Sequence, residues 1–240
     1  MSNPLDDHVK AYQGNSIYDF DNQILLNFYP QRIIHSTRPE FSVLDLGIGH
    51  GYTTDLLSQT YRSYSVIEGS EEVIANFKKN HPLSKATIHH QFFEDFLPTQ
   101  SYDLIIMGFI LEHVDDPQAI IRRYSQFLNR GGHIYIAVPN AESLNRNLGH
   151  KMGLLNDLMV LSDYDRLLGH KRYYTVKSLT ADIVNSNCKL EAMEGIFLKP
   201  FTTGQLLSLN LPDSVITALC EVGIDYPELC CGMMAKISPA

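Results

Sequence analysis

The chain has 240 residues, 44% hydrophobic and 19% charged, a balance that suits one globular domain with a full core. Its net charge of -8 and pI near 5.6 argue against broad binding to nucleic acid or an anionic membrane, where phosphate repulsion would go unopposed. Cys188, Cys220, Cys230 and Cys231 make no C-x-x-C pair and no Cys/His metal spacing, which argues against a disulfide framework or a zinc site. No apolar run is long enough to span a bilayer, and the polar start MSNPLDDHVKAYQG has no apolar leader core, so a reduced, cytoplasmic setting is expected.

Residues 1–35 read as helical and precede the sheet. The amphipathic run 22–29 ends at Pro30, and Tyr12, Tyr18, Asp19 and Phe20 punctuate the polar stretch before it. Residues 41–47 form the first predicted strand. It enters the turn Gly47-Ile48-Gly49-His50-Gly51 and then a helix over 52–61, the outline of a nucleotide-type α/β site. The turn departs from a dinucleotide fingerprint: counted from Gly47, the sixth position is Tyr52, where that site needs a small residue. Asp45, two residues ahead of the first glycine, is a poor neighbour for a pyrophosphate and a good one for a cation. The second strand, 63–67, delivers Glu68 about 20 positions beyond the turn, where such sites place a carboxylate to accept a ribose diol. Capping of the next helix, 72–80, falls to Ser70 with Glu71 and Glu72.

A third strand, 86–90, leads to Phe93-Glu94-Asp95-Phe96. The fourth, 101–108, is continuously apolar, as in a parallel sheet covered on both faces, and runs into Leu111-Glu112-His113-Val114. Asp115, Asp116 and Pro117 start a helix whose buried face is Ile120, Ile121, Tyr124, Phe127 and Leu128, with Gly131 and Gly132 as its expected cap. The fifth strand is 133–140. Residues 141–172 break the rhythm with one or two short helices and close on Gly169-His170-Lys171-Arg172-Tyr173-Tyr174. Thr175 caps a helix over 176–185. Strand six is 189–198, a helix lies at 213–221, and the last strand, 229–237, should pair antiparallel beside strand six.

The D-x-G-x-G-x-G spelling from Asp45, the L-E-H-V at 111–114 and the run L-N-R-G-G-H-I-Y-I-A-V-P-N at 128–140 occur in order over more than half of the chain. Together they resemble the class I S-adenosylmethionine-dependent methyltransferases, in the small-molecule branch of ubiquinone-biosynthesis type. The resemblance implies an α/β fold: a Rossmann-like, doubly wound, seven-stranded, mostly parallel sheet with an antiparallel last strand and helical lid insertions. It implies a single domain over 1–240, with an N-terminal cap over 1–35 and insertions at 141–172 and 199–227. It implies S-adenosylmethionine as cofactor, with S-adenosylhomocysteine as product, and no metal. Asp45, Gly47, Gly49 and Gly51 would hold the methionine end, Glu68 the ribose and Asp95 the adenine, with Glu94 its rival by one residue; Gly69, Phe96 and Met107 complete the cofactor set.

His113 is the first choice for a catalytic base, since its ordinary pKa lies near neutrality. Tyr12, Tyr18, His170, Arg172 and Tyr173 are the expected substrate contacts. A basic run beside two tyrosines could hold a carboxylate or phosphate, or form a solvated turn. The expected acceptor is a small molecule methylated on oxygen or nitrogen, an anionic one among the options, with no nucleic acid or membrane partner and a homodimer allowed. Two other readings stay open at this level: a nicotinamide-dependent oxidoreductase, and a non-catalytic S-adenosylmethionine-binding module.

Overall fold

A computed structural model describes residues 16–240. Strands β1 (Ser42–Leu46), β2 (Ser63–Glu68), β3 (Thr87–His90), β4 (Tyr102–Gly108), β5 (Leu128–Pro139), β6 (Cys188–Ile196) and β7 (Gly232–Pro239) form one seven-stranded sheet in the order β3-β2-β1-β4-β5-β7-β6. The first five pair parallel, and β7 is antiparallel to both β5 and β6, so the Rossmann-like arrangement expected of the sequence is the one observed. Strand order reverses between β1 and β4. In open α/β sheets the crevice outside the carboxyl ends of the strands at such a point is where ligands bind.

Each central strand buries both faces. Val43, Val66, Leu104 and Ile106 face one core, shared with α1 (Asp19–His35), α2 (Tyr52–Thr60) and α3 (Glu71–Asn80). Leu44, Ile67, Ile105 and Met107 face the other, shared with α4 (Pro117–Ser125) and α7 (Val176–Asn185). The alternation is the two-residue period of a strand, hidden in the sequence because both sets are apolar. A third cluster, Phe197, Leu206 and Cys220, joins α8 (Thr203–Ser208) and α9 (Asp213–Gly223) to Phe20, Ile24 and Phe28 of α1. Two lid helices, α5 (Leu144–Lys151) and α6 (Asp163–Leu167), follow β5. Among the described residues no helix is long and apolar enough to cross a membrane, and all four cysteines are free.

Three local expectations are corrected. Helix α1 does not end at Pro30 but runs through it to His35. Proline cannot donate to the carbonyl one turn back, at Leu26; the Thr53 hydroxyl of α2 donates to that oxygen instead, at 2.9 Å, so the helix continues without an orphaned acceptor. Gly131 and Gly132 do not cap α4, which ends at Ser125. Residues 128–132 are drawn into β5, where Leu128 pairs with Tyr102 and Asn129 donates to Asp103 at 2.7 Å, across an irregular register. The last strand begins three residues later than expected, at Gly232, because the carbonyls of Cys230 and Cys231 are taken by the side chain and backbone of Asn140.

Candidate functional site

A cavity of about 470 Å³ opens at the switch point, over the carboxyl ends of β1, β2 and β4. Its first half is built by the glycine turn. Gly47 and Gly51 have φ of +80° and +84°, left-handed values that side-chain-bearing residues resist. A Cβ on Gly47 would come within 2.7 Å of Ile110, and one on Gly51 within 2.8 Å of Phe77, so neither conformation nor space allows a replacement. Gly49 has nothing within 4 Å of its Cβ direction and lines the cavity.

Asp45 is buried beneath this turn and accepts a 2.6 Å hydrogen bond from the Tyr64 hydroxyl. Burial pushes its carboxyl up to about 7, against the lowering effect of that bond. Glu68 is buried beside it. One oxygen accepts from the Ile48 N–H at 3.0 Å and the other from the Ser70 N–H at 2.8 Å, and the Gly69 N–H bonds the same carboxylate, which clamps it in place. Burial raises its pKa as well, and the backbone bonds oppose the rise. Ser70 caps α3 with its hydroxyl, so Glu68 is not needed as a cap. The Tyr29 hydroxyl sits under Gly108, in the space that a Cβ there would fill.

Four residues expected at the cofactor do not line the cavity. Phe96 and Met107 are buried in the core on the α4 side, Phe96 against the His89 ring. Asp95 is exposed on the loop after β3, as is Glu94, and Gly69 lies behind Glu68, its carbonyl near His90. The wall there is made by Phe93, Gly108, Phe109 and Ile110. Phe109 has φ of +58°, a strained value for an aromatic residue, held by its N–H donating to the Ala137 carbonyl at 2.7 Å.

The second half comes from distant segments. Tyr18 of the N-terminal cap stacks on Tyr164 of α6, ring centroids 4.5 Å apart, and both line the cavity. Tyr12 lies outside the described residues. His113 and His170 meet edge to face at 4.7 Å in the cavity wall. His170 is held by Asp165, at 3.1 Å from Nδ1, and Asp165 also accepts from the Tyr173 hydroxyl at 2.7 Å and from the backbone of Ser162 at 2.8 Å. Burial works to raise the Asp165 carboxyl, but these hydrogen bonds, His170 first, outweigh it and keep it well below the usual carboxylate range.

Arg172 is turned away from the cavity. Its guanidinium donates to the carbonyls of Leu111, Val114 and Asp115 and so braces the turn that carries His113, while Lys171 pairs with Asp115 on the surface. Arg146 is likewise committed: it donates to the carbonyls of Leu158 and Val160 and lies 4.2 Å over the Tyr173 ring, tying the lid together. Lys199 is buried against Asp21 and Thr203. The expected anion-binding group is therefore spent on internal contacts.

Glu112 carried no role in the sequence reading beyond its place in the L-E-H-V turn. It is fully buried in the cavity wall, and neither carboxylate oxygen has a hydrogen-bond partner. Burial pushes its carboxyl up to about 7. One ligand atom from each of Glu112, His113 and His170 lies within 4.8 Å of the others. Adjacency to His113 was the one signal in the sequence; the approach of His170 depends on the lid.

A family model described as a methyltransferase domain matches residues 22–192. The ubiquinone biosynthesis O-methyltransferase of Coxiella burnetii is 27% identical over 122 residues, 50% of this chain and 51% of that protein. A Mycobacterium tuberculosis protein named "Probable S-adenosylmethionine-dependent methyltransferase" is 26% identical over 98 residues, 41% of this chain and 35% of its own length. The chain thus spans between about a third and a half of these curated relatives. Among solved structures, an N-methyltransferase of Bradyrhizobium japonicum in complex with S-adenosyl-L-homocysteine superposes with a TM-score of 0.61 at 11% identity, covering 98% of each chain, which shows a shared fold.

Proposed function

The chain belongs to the methyltransferase-domain family, and on that premise we propose that it transfers a methyl group from S-adenosylmethionine to the oxygen or nitrogen of a small molecule. The observation that carries the reading is one cavity whose first half presents two clamped, buried carboxylates, Asp45 and Glu68, around a glycine turn, and whose second half presents His113 and His170. The donor set suits the cofactor. Asp45 offers a negative charge to the ammonium of the amino acid end, and the Glu68 carboxylate, an acceptor at the cavity wall, suits the hydroxyls of a ribose.

S-adenosylmethionine, when bound, supplies a methyl group activated on a sulfonium sulfur. The protein's contribution is to hold the acceptor in line with that methyl in a site shielded from water, which lowers the barrier by alignment and needs no covalent intermediate on the enzyme. Tyr18 and Tyr164 form an aromatic wall for the acceptor, and His113 is placed to take the proton an acceptor hydroxyl would lose.

The charges around the cavity favour an acceptor without an anionic group. Among the described residues, Asp45, Glu68 and Glu112 line it with no basic side chain paired to them by an ion pair, whereas Lys199 is already paired with Asp21 and the guanidinium of Arg146 is committed to backbone carbonyls of the lid. Calorimetric titration with S-adenosylmethionine and S-adenosylhomocysteine, with NADH as control, tests the reading. Micromolar binding of the sulfur ligands, lost in Glu68→Ala, is expected. Binding of NADH alone would overturn it, and binding of the sulfur ligands with no turnover on any hydroxyl or amine acceptor would reduce the protein to a cofactor-binding module.

A further inference from the structure

The sequence carries no metal-binding spacing, yet the fold brings Glu112, His113 and His170 together from two segments 57 residues apart in the chain. The turn after β4 supplies the first two and the end of the lid supplies the third. The junction is pinned by the Lys171 N–H donating to the Glu112 carbonyl at 2.7 Å and by Arg172 capping the turn's other carbonyls. The juxtaposition is thus built by backbone contacts on both sides.

We propose that Glu112, His113 and His170 bind a divalent transition-metal ion in the wall of the cavity. The independent sign of a missing ligand is Glu112: a fully buried carboxylate with two unpartnered oxygens, lining a cavity, in a fold that satisfies Asp45, Glu68 and Asp165 with hydrogen bonds. Leaving such a group without a partner is costly, and a cation is the partner it lacks.

The surroundings of His170 agree. Its Nδ1 faces Asp165 at 3.1 Å; a proton donated there leaves the lone pair on Nε2. A carboxylate behind an imidazole fixes the tautomer and the ring and raises the basicity of the ligating nitrogen, an arrangement found repeatedly behind metal-bound histidines. Asp165 is in turn held by Ser162 and Tyr173.

Two imidazoles and one carboxylate suit zinc, cobalt, iron or manganese better than magnesium or calcium, which prefer oxygen ligands. Bonds of about 2.1 Å in a tetrahedron place ligand atoms roughly 3.4 Å apart, so side-chain rotations that shorten the longest separation by up to about 1.4 Å would close the site. Three protein ligands leave a position open to the cavity.

The ion's role rests on the methyl-transfer reading. An acceptor hydroxyl in the open position would lose its proton to solvent near neutral pH. Its oxygen would then form the new bond to carbon while the carbon–sulfur bond breaks, both electrons staying on sulfur. His113 would act there as a ligand in place of a base.

The test uses the full chain, stripped of metal by chelator dialysis and titrated separately with Zn2+, with Co2+ and with S-adenosylhomocysteine. Uptake of about one equivalent of Zn2+ is expected, with visible absorption of the Co2+ form typical of four- or five-coordination. Glu112→Gln and His170→Ala should weaken Zn2+ binding at least about 100-fold, and Asp165→Asn about 10- to 100-fold, while each binds S-adenosylhomocysteine like the wild type. Normal S-adenosylhomocysteine binding without stoichiometric Zn2+ or Co2+ uptake would overturn the site, as would uptake unchanged in Glu112→Gln. Zn2+ uptake lost in those variants, in a protein that ignores S-adenosylhomocysteine, would support the site and sink only the methyl-transfer reading.

Discussion

The two halves of the cavity are built in different ways. The Asp45–Glu68 half is assembled from neighbours in sequence: the ends of two adjacent parallel strands, a five-residue turn and the N-terminus of α3, joined by short backbone bonds such as Gly47 N–H to the Ile67 carbonyl at 2.8 Å. The Tyr164–His170 half is assembled from the N-terminal cap, the turn after β4 and the lid, held by side chains that reach across long stretches of chain, such as Arg146 onto Leu158 and Val160. The first half is rigid because the sheet sets its strand ends. The second is only as well placed as its tethers, which is where a family can vary its acceptors without disturbing its cofactor.

The sharpest way to break that contrast is to remove the charge at the centre of the rigid half. Asp45→Asn should weaken S-adenosylhomocysteine binding about 100-fold at pH 8, roughly the 2–3 kcal/mol of a charge-assisted interaction. The same experiment gives a pH signature. Burial holds the ligand-free Asp45 carboxyl near 7, and the ammonium of the ligand's amino acid end requires its ionised form, so protonation competes with binding. Wild-type affinity, measured by calorimetry, should be full above pH 7 and fall by up to about tenfold per unit below it, while Asp45→Asn should be flat across that range. A wild type with no pH dependence between 5.5 and 8, values bracketing about 7, would remove Asp45 from ligand contact.

A smaller effect is expected from loosening the tethered half. Arg146→Ala should raise the acceptor KM about tenfold and leave the cofactor Kd within about twofold, because the arginine supports the lid and not the glycine turn. Equal losses in both constants would mean that the halves are coupled.

The smallest concerns the support beneath both. Thr53→Val keeps the shape but deprives the Leu26 carbonyl of its donor, and should cost about 1–2 kcal/mol, a drop in Tm of roughly 3–6 °C. An unchanged Tm would show that α1 tolerates Pro30 without help from α2.

The outline of the rigid half was legible because its information is local. Asp45, the glycines and Glu68 occupy a contiguous turn and the next strand end, and only a few backbone conformations connect them. That Phe96 and Met107 do not line the cavity has a physical source. Strand β4 is apolar on both faces, so its sequence does not say which of two alternating sets meets the cavity, and Met107 falls in the core while Gly108 lines the wall. Arg172 illustrates the opposite limit: a guanidinium at a cavity mouth reads as a ligand group, yet three backbone carbonyls left unpaired by the turn at 111–115 claim it first.

By itself the sequence determined the succession of the seven strands and of most helices, α8 excepted, with the capping residues Ser70 and Thr175, the glycine turn and the two carboxylates that flank it, since each follows from contacts within a few residues. Only the tertiary structure decided that α1 passes through Pro30, that Arg172 turns from the cavity onto the carbonyls of the 111–115 turn, and that an unpartnered Glu112 lies beside two histidines. Those outcomes depend on which distant groups arrive to satisfy a buried donor or acceptor, and a linear chain does not display that competition until it has folded.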